Sequence, residues 1–88
     1  MDYLKCIGVL IATVDTGSLT KAGKLQGITP QGAMNTVRRL EDKIGVPLFE
    51  TTTRSVVPTK ECLAIYDEVK DSYNKFIFDL HSVIGEDI

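Results

Sequence analysis

The stretch Ser18 to Leu40, SLTKAGKLQGITPQGAMNTVRRL, decides how the chain reads. Two short helical patterns meet at a sharp bend, Gln26-Gly27-Ile28-Thr29-Pro30. Ser18 is placed as N-cap of the first, which runs from Leu19 to about Leu25; its hydroxyl can accept from a first-turn backbone N–H. Gly27 supplies the left-handed residue that ends this helix, and Ile28 points a side chain back into the core. Thr29-Pro30 opens the next helix, Thr as cap and Pro at the first helical position, where its missing N–H is harmless. Along that helix Ala33, Val37, Leu40 and Ile44 form an inward stripe, and Gly45 closes it. Ala22 and Gly23, small residues at the centre of the preceding helix, are read as leaving room for another helix to approach. The outline is a helix-turn-helix.

Upstream, Leu4, Ile7, Ile11 and Val14 recur at helical spacing, so a helix is expected from Tyr3 to Val14 with these residues on one face. Asp15-Thr16-Gly17 ends it. Downstream, Val46 to Thr51 and Ser55 to Val57-Pro58 are two short β-prone segments around the polar turn Thr52-Thr53-Arg54, which predicts a hairpin, or wing. Thr59 then caps a long helix from Lys60 to about Val83 or Ile84. Cys62, Tyr66, Val69, Tyr73, Phe76, Leu80 and Val83 follow one another at spacings of 4, 3, 4, 3, 4 and 3, a heptad seam. A helix of ~25 residues reaches roughly 37 Å, more than so small a domain can cover. The seam is therefore expected to be a dimer interface between two copies, with Ile65, Ile77 and Ile84 turned toward the globular part. The fold class is mainly α: a winged helix-turn-helix over residues 1–58, followed by a linker and dimerisation helix over 59–88.

The 88 residues suffice for one domain, and a composition 43% hydrophobic and 25% charged is ordinary for a globular protein. Net charge is −2, but unevenly divided. Residues 1–60 carry eight Lys/Arg against five Asp/Glu, and residues 61–88 carry two against seven. The basic excess thus lies with the helix-turn-helix and the acidic excess with the last helix. No apolar run approaches the ~20 residues that span a bilayer; the apolar N-terminal segment lacks a basic n-region and has helical spacing, so it reads as a core helix rather than a signal peptide. Cys6 and Cys62 are expected to be buried thiols in a reducing cytoplasm. With a single histidine, His81, the chain offers no metal site, and it shows no phosphate-binding Gly-rich loop. No catalytic constellation is present, so neither an enzyme nor a cofactor is expected.

The chemistry that does stand out is suited to double-stranded DNA. With Val37 as the buried centre of the third helix, Gln31, Asn35, Arg39 and Asp42 fall within about 60° of the opposite side, and Arg38 stands on the flank. Asn and Gln pair with adenine, and Arg with guanine, when a helix lies in the major groove. Phosphates are met by helix N-termini, hydroxyls and cations. Ser18, Thr20, Lys21, Lys24 and Thr29 supply these, with Arg54 in the wing turn.

Taken together these elements resemble the N-terminal DNA-binding domain of LysR-type transcriptional regulators. The resemblance rests on Gly17-Ser18-Leu19-Thr20-Lys21-Ala22-Gly23-Lys24-Leu25, on Arg38-Arg39-Leu40-Glu41, on Gly45-Val46-Pro47-Leu48-Phe49-Glu50, and on Arg54 and Thr59. It covers nearly the whole chain in order. It implies a bacterial, cytoplasmic winged helix-turn-helix that binds a pseudo-palindromic operator as a homodimer, with DNA-contacting roles for Ser18, Thr20, Thr29, Arg38 and Arg54. The chain departs from the family pattern in several places. Met34 stands where the family usually has Ser, Thr51 where it has Arg, and Lys60-Glu61-Cys62 follow Thr59 where x-Ala-Gly is preferred. The first two remove a donor and a cation. They motivate an alternative, an interaction module that binds DNA weakly or not at all and modulates a related regulator as a heterodimer. The family carries an effector domain after the linker helix, so the chain reads either as an excised domain or as a naturally short protein.

Overall fold

The computed structural model describes residues 2–51 and 56–85. Its elements run α1 (Tyr3–Thr16), α2 (Leu19–Gln26), α3 (Pro30–Ile44), β1 (Phe49–Thr51), β2 (Val56–Pro58) and α4 (Lys60–Ile84). This is the winged helix-turn-helix with a long final helix. Each boundary has a local cause. The side chains of Asp2, Ser18, Thr29 and Thr59 accept from the backbone N–H groups of Lys5, Lys21, Gly32 and Cys62, respectively, and so cap the four helices. At the helix-turn-helix bend, Gly27 takes φ +70 and the Ile28 N–H donates to the Gly23 carbonyl at 2.8 Å.

The small residue at Gly23 serves a different neighbour from the expected one. A Cβ built there would lie 2.7 Å from the carbonyl oxygen of Ile28. What approaches is therefore the backbone of the bend itself, not another helix.

At the centre of the molecule lies α1, packed against α2, α3 and α4. Gly8, Val9, Leu10, Ile11, Ala12 and Thr13 are consecutive and all buried. The expected single face of Leu4, Ile7, Ile11 and Val14 is corrected accordingly. Only Ile11 of the four is fully buried, and Leu4 is exposed. A helix enclosed on opposite sides is apolar around its whole circumference, so a 3–4 spacing picks out an arbitrary arc. The buried Thr13 satisfies its hydroxyl by donating to the Val9 carbonyl at 2.7 Å.

Two buried clusters result. Val9, Ala33 and Val37, flanked by Leu19 and Ile28, join α1 to the helix-turn-helix. Cys6, Leu10, Ile11, Leu40, Leu48 and Cys62 join α1, α3, the wing base and α4. Phe49 packs against both. On α3 the expected stripe holds at Ala33, Val37 and Leu40, with Thr36 also buried, but Ile44 is 39% exposed. It lies one turn beyond Leu40, where Val46 and Leu48 return to the core after the Gly45 turn. The hairpin is shorter than its two β-prone segments: Phe49, Glu50 and Thr51 pair antiparallel with Pro58, Val57 and Val56.

The seam of α4 is divided by the fold. Cys62 has zero exposure in its own chain's core, and Tyr66, Val69 and Tyr73 pack against the same cluster. Cys62 therefore has no surface to offer a partner, a correction to its place in the expected dimer interface. Past Tyr73 the seam leaves that cluster, and the molecule measures 42 × 24 × 22 Å. There Phe76 (48%), Leu80 (46%) and Val83 (85%) are exposed. So is Ile84, which was expected to touch the globular part.

Candidate nucleic-acid interface

The outward face of α3 is formed by Gln31, Asn35, Arg38 and Arg39, all exposed, opposite the buried Ala33, Val37 and Leu40. Burial of the apolar stripe thus fixes which way the polar residues face. Gln31 Nε2 donates to Asn35 Oδ1 at 3.0 Å across one helical turn. The contact leaves the Gln31 carbonyl oxygen and the Asn35 amide hydrogens as an acceptor–donor pair, the pattern that matches the major-groove edge of adenine. Asp42 is also exposed.

The positions expected at phosphates are set by the caps. Ser18 Oγ accepts from the Lys21 N–H at 3.1 Å, and Thr29 Oγ1 from the Gly32 N–H at 3.0 Å. Each hydroxyl stands at a helix N-terminus, where backbone N–H groups carry partial positive charge. Thr20, Lys21 and Lys24 are exposed along α2. Arg54 lies outside the described residues, as do Thr52, Thr53 and Ser55.

Between α3 and the wing lies a cavity of about 200 Å³ lined by Leu19, Met34, Val37, Arg38, Glu41, Phe49 and Val56. Met34 is partly buried in this wall. The residue that departs from the family pattern therefore contributes packing beside the exposed polar face of α3.

Sequence reading missed two polar residues. Glu41, quoted only as the last letter of a motif, turns its carboxylate to the wing base: Oε2 accepts from the N–H groups of Leu48 at 2.7 Å and Phe49 at 3.3 Å. Tyr66, assigned to the seam for its ring, donates its hydroxyl to the carboxylate of Asp15 at the end of α1. That bond, followed by partial desolvation, holds the phenol above its ordinary range. In neither case does spacing along the chain signal the partner.

Both cysteines are buried free thiols, as expected. Burial, with the Glu41 charge adding to it, pushes Cys62 up to about 11, and burial with the Asp2 charge raises Cys6. Such thiols stay protonated and unreactive at neutral pH. Among the described residues no helix is long and apolar enough to cross a membrane, and no cluster of His, Cys, Asp and Glu could hold a metal.

Comparison with known proteins agrees with this architecture. Residues 4–63 match the family model described as "Bacterial regulatory helix-turn-helix protein, lysR family". The regulatory protein NocR of Agrobacterium fabrum is 36% identical over 63 residues, covering 72% of this chain and 21% of NocR. The chain thus spans about a fifth of the length of such curated relatives. Among solved structures, an H2O2-bound mutant of Corynebacterium glutamicum OxyR superposes with a TM-score of 0.84 at 20% identity, over 93% of this chain and 26% of that one. BenM_DBD, solved in a benA site 1 DNA complex, superposes with a TM-score of 0.71 at 23% identity, over 93% of this chain and 88% of that one. With the helix-turn-helix, the wing base and the capped long helix in the same order, the chain belongs to the LysR family of bacterial regulatory helix-turn-helix proteins.

Proposed function

We propose that the chain is a sequence-specific DNA-binding transcription regulator that acts as a dimer on a pseudo-palindromic operator. The observation that carries this reading is the exposed row Gln31, Asn35, Arg38 and Arg39 on α3, opposite its buried stripe. In a major groove these four side chains read base edges. Ser18, Thr20 and Thr29 at the N-termini of α2 and α3, with Arg54 between the two strands in sequence, hold phosphates. Family membership supports the reading, as does the similarity to BenM_DBD and CbnR_DBD, both solved in DNA complexes. The curated relatives are named as regulators, which favours a regulatory rather than an enzymatic role, and a cytoplasmic one.

Residues 1–58 form the DNA-binding unit on this reading and residues 59–88 the dimerisation helix. A homodimer forms through the far half of α4. Phe76, Leu80 and Val83 meet their counterparts there, and Tyr66, Val69 and Tyr73 contribute what their own core leaves uncovered. An apolar groove of about 320 Å³ lined by Tyr3, Leu4, Ile7, Val69, Ser72, Tyr73 and Phe76 continues this surface onto α1. Two recognition helices then enter major grooves about 34 Å, or a multiple of it, apart. The test is selection of bound sequences from random duplex DNA at two salt concentrations. Enrichment of a two-fold-related motif, with affinity falling steeply with salt, is the expected result. No enrichment at low salt would falsify the reading.

One observation favours a second reading. The same far half of α4 is exposed and apolar on a segment with a balance of two Lys/Arg against seven Asp/Glu over residues 61–88. A module that pairs with a related regulator and lacks useful DNA affinity would present such a helix. It predicts heterodimers with that regulator and no selected motif.

A further inference from the structure

Leu48 is held from both sides by backbone hydrogen bonds. Its N–H donates to Glu41 Oε2 of α3 at 2.7 Å, and its carbonyl accepts from the Thr59 N–H at 2.9 Å and from Thr59 Oγ1 at 3.2 Å. The single Thr59 hydroxyl proton is shared between that carbonyl and the nearer Pro47 carbonyl at 2.8 Å, and the hydroxyl oxygen accepts from the Cys62 N–H of α4 at 3.2 Å. The Leu48 side chain has zero exposure and packs in the cluster that includes Leu40 of α3 and Cys62 of α4. One residue thus joins the helix that faces outward to the helix that extends away. Glu41 and Thr59 stand at the two ends of that joint.

We propose that Glu41 and Thr59 are positioning residues that, through Leu48, lock the angle between α3 and α4 and thereby set the half-site spacing a dimer accepts. The inference rests on the DNA-binding, α4-paired reading above. Neither residue needs to touch DNA. If α4 pairs two copies, each recognition helix is placed relative to its twin by α1, which packs on both helices, and by the α4–Leu48–α3 path, whose hydrogen bonds run directly between them. One inserted base pair turns a half-site by about 35° and moves it about 3.4 Å. A stiff joint rejects such an insertion, and a loosened one tolerates it.

The experiment uses the full 88-residue chain and the motif selected by the wild type. Affinities are measured on three duplexes: the selected site, the same site with one base pair inserted between half-sites, and an isolated half-site. Glu41→Asp keeps the charge but shortens the reach, and Thr59→Val removes the hydroxyl. Glu41→Gln and Thr59→Ser keep the acceptor and the hydroxyl. The wild type is expected to lose about tenfold on insertion, about 1.4 kcal/mol of misfit. Glu41→Asp and Thr59→Val should lose less than about threefold on insertion, the flattening expected of a loosened joint, while binding the isolated half-site as the wild type does. Glu41→Gln and Thr59→Ser should restore the wild-type preference.

Unchanged spacing preference in both disruptive variants overturns the proposal. So does an equal loss on the isolated half-site, which would mean that α3 itself had been disturbed. Circular dichroism and sedimentation select variants that stay folded and dimeric, and if Glu41→Asp does not, Thr59→Val carries the same test at the other end. A wild type that enriches no two-part motif brings down the DNA reading and this inference together. A motif with wild-type spacing preference that the variants leave intact brings down this inference alone.

Discussion

Gln31 and Asn35 are joined side chain to side chain, Nε2 to Oδ1 at 3.0 Å, on the exposed face of α3. The pair holds two amides in one orientation before any ligand arrives, which reduces the entropy lost on ordering them. If both meet bases, Gln31→Ala and Asn35→Ala should each weaken binding to the selected duplex by about 1–3 kcal/mol. The double variant should lose less than the sum by at least about 0.5 kcal/mol. A double-mutant cycle on the selected duplex measures this. Strict additivity would show that the contact is incidental.

Arg38 and Lys24 are exposed cations with different expected duties. Arg38→Ala should cost about 1–3 kcal/mol and relax specificity at the base pair it meets. Lys24→Ala should weaken all duplexes alike and lower the slope of log affinity against log salt by about 1. Titrations at several salt concentrations on matched and mismatched duplexes separate the two. Equal effects on every duplex from Arg38→Ala would move that side chain from bases to phosphates.

For self-association, Phe76 and Leu80 are cleaner probes than Val69. Both are nearly half exposed, whereas Val69 packs against the core of its own chain. Phe76→Glu with Leu80→Glu should shift the protein to monomer in sedimentation while leaving its melting temperature, extrapolated to low concentration, little changed. Val69→Glu should lower stability by about 2–3 kcal/mol even in the monomer, because it buries a charge. A wild type already monomeric at high concentration would remove α4 as the dimer contact.

Cys62 gives the fold an alkaline limit. Its folded value of about 11 lies above the ordinary 9.0, so the unfolded chain releases this proton first. The stabilisation is complete below pH 9.0 and is lost as pH rises to about 11. About 2 kcal/mol should disappear over that window, with Cys6 and Tyr66 acting in the same direction because both are also raised. Denaturant melts between pH 8 and 11 check it. Cys62→Ala should flatten the pH dependence although it lowers stability at neutral pH. In native protein at pH 7, neither thiol should react with a maleimide at an appreciable rate.

The helix-turn-helix was legible in the chain because its determinants are local. Ser18, Thr29 and Thr59 each cap an N–H three residues ahead. Gly27 ends α2 within its own turn, and the apolar period of α3 marks which side is buried. The polar row Gln31, Asn35, Arg38 and Arg39 follows from that period alone. Interactions that span no more than about one helical turn are encoded where they act.

Tertiary structure decided the rest. It enclosed α1 on opposite sides, so that six consecutive residues are buried where one face was expected. It also split the heptad of α4 between an intrachain core and an exposed far half, since a 3.5-residue repeat suits any apolar groove, whether its own domain's or a partner's. Glu41 found Leu48 seven residues on, across a turn, and Tyr66 found Asp15 fifty-one residues away. Such pairs form only after the elements have packed, because position along the chain does not determine distance in space until the core has closed.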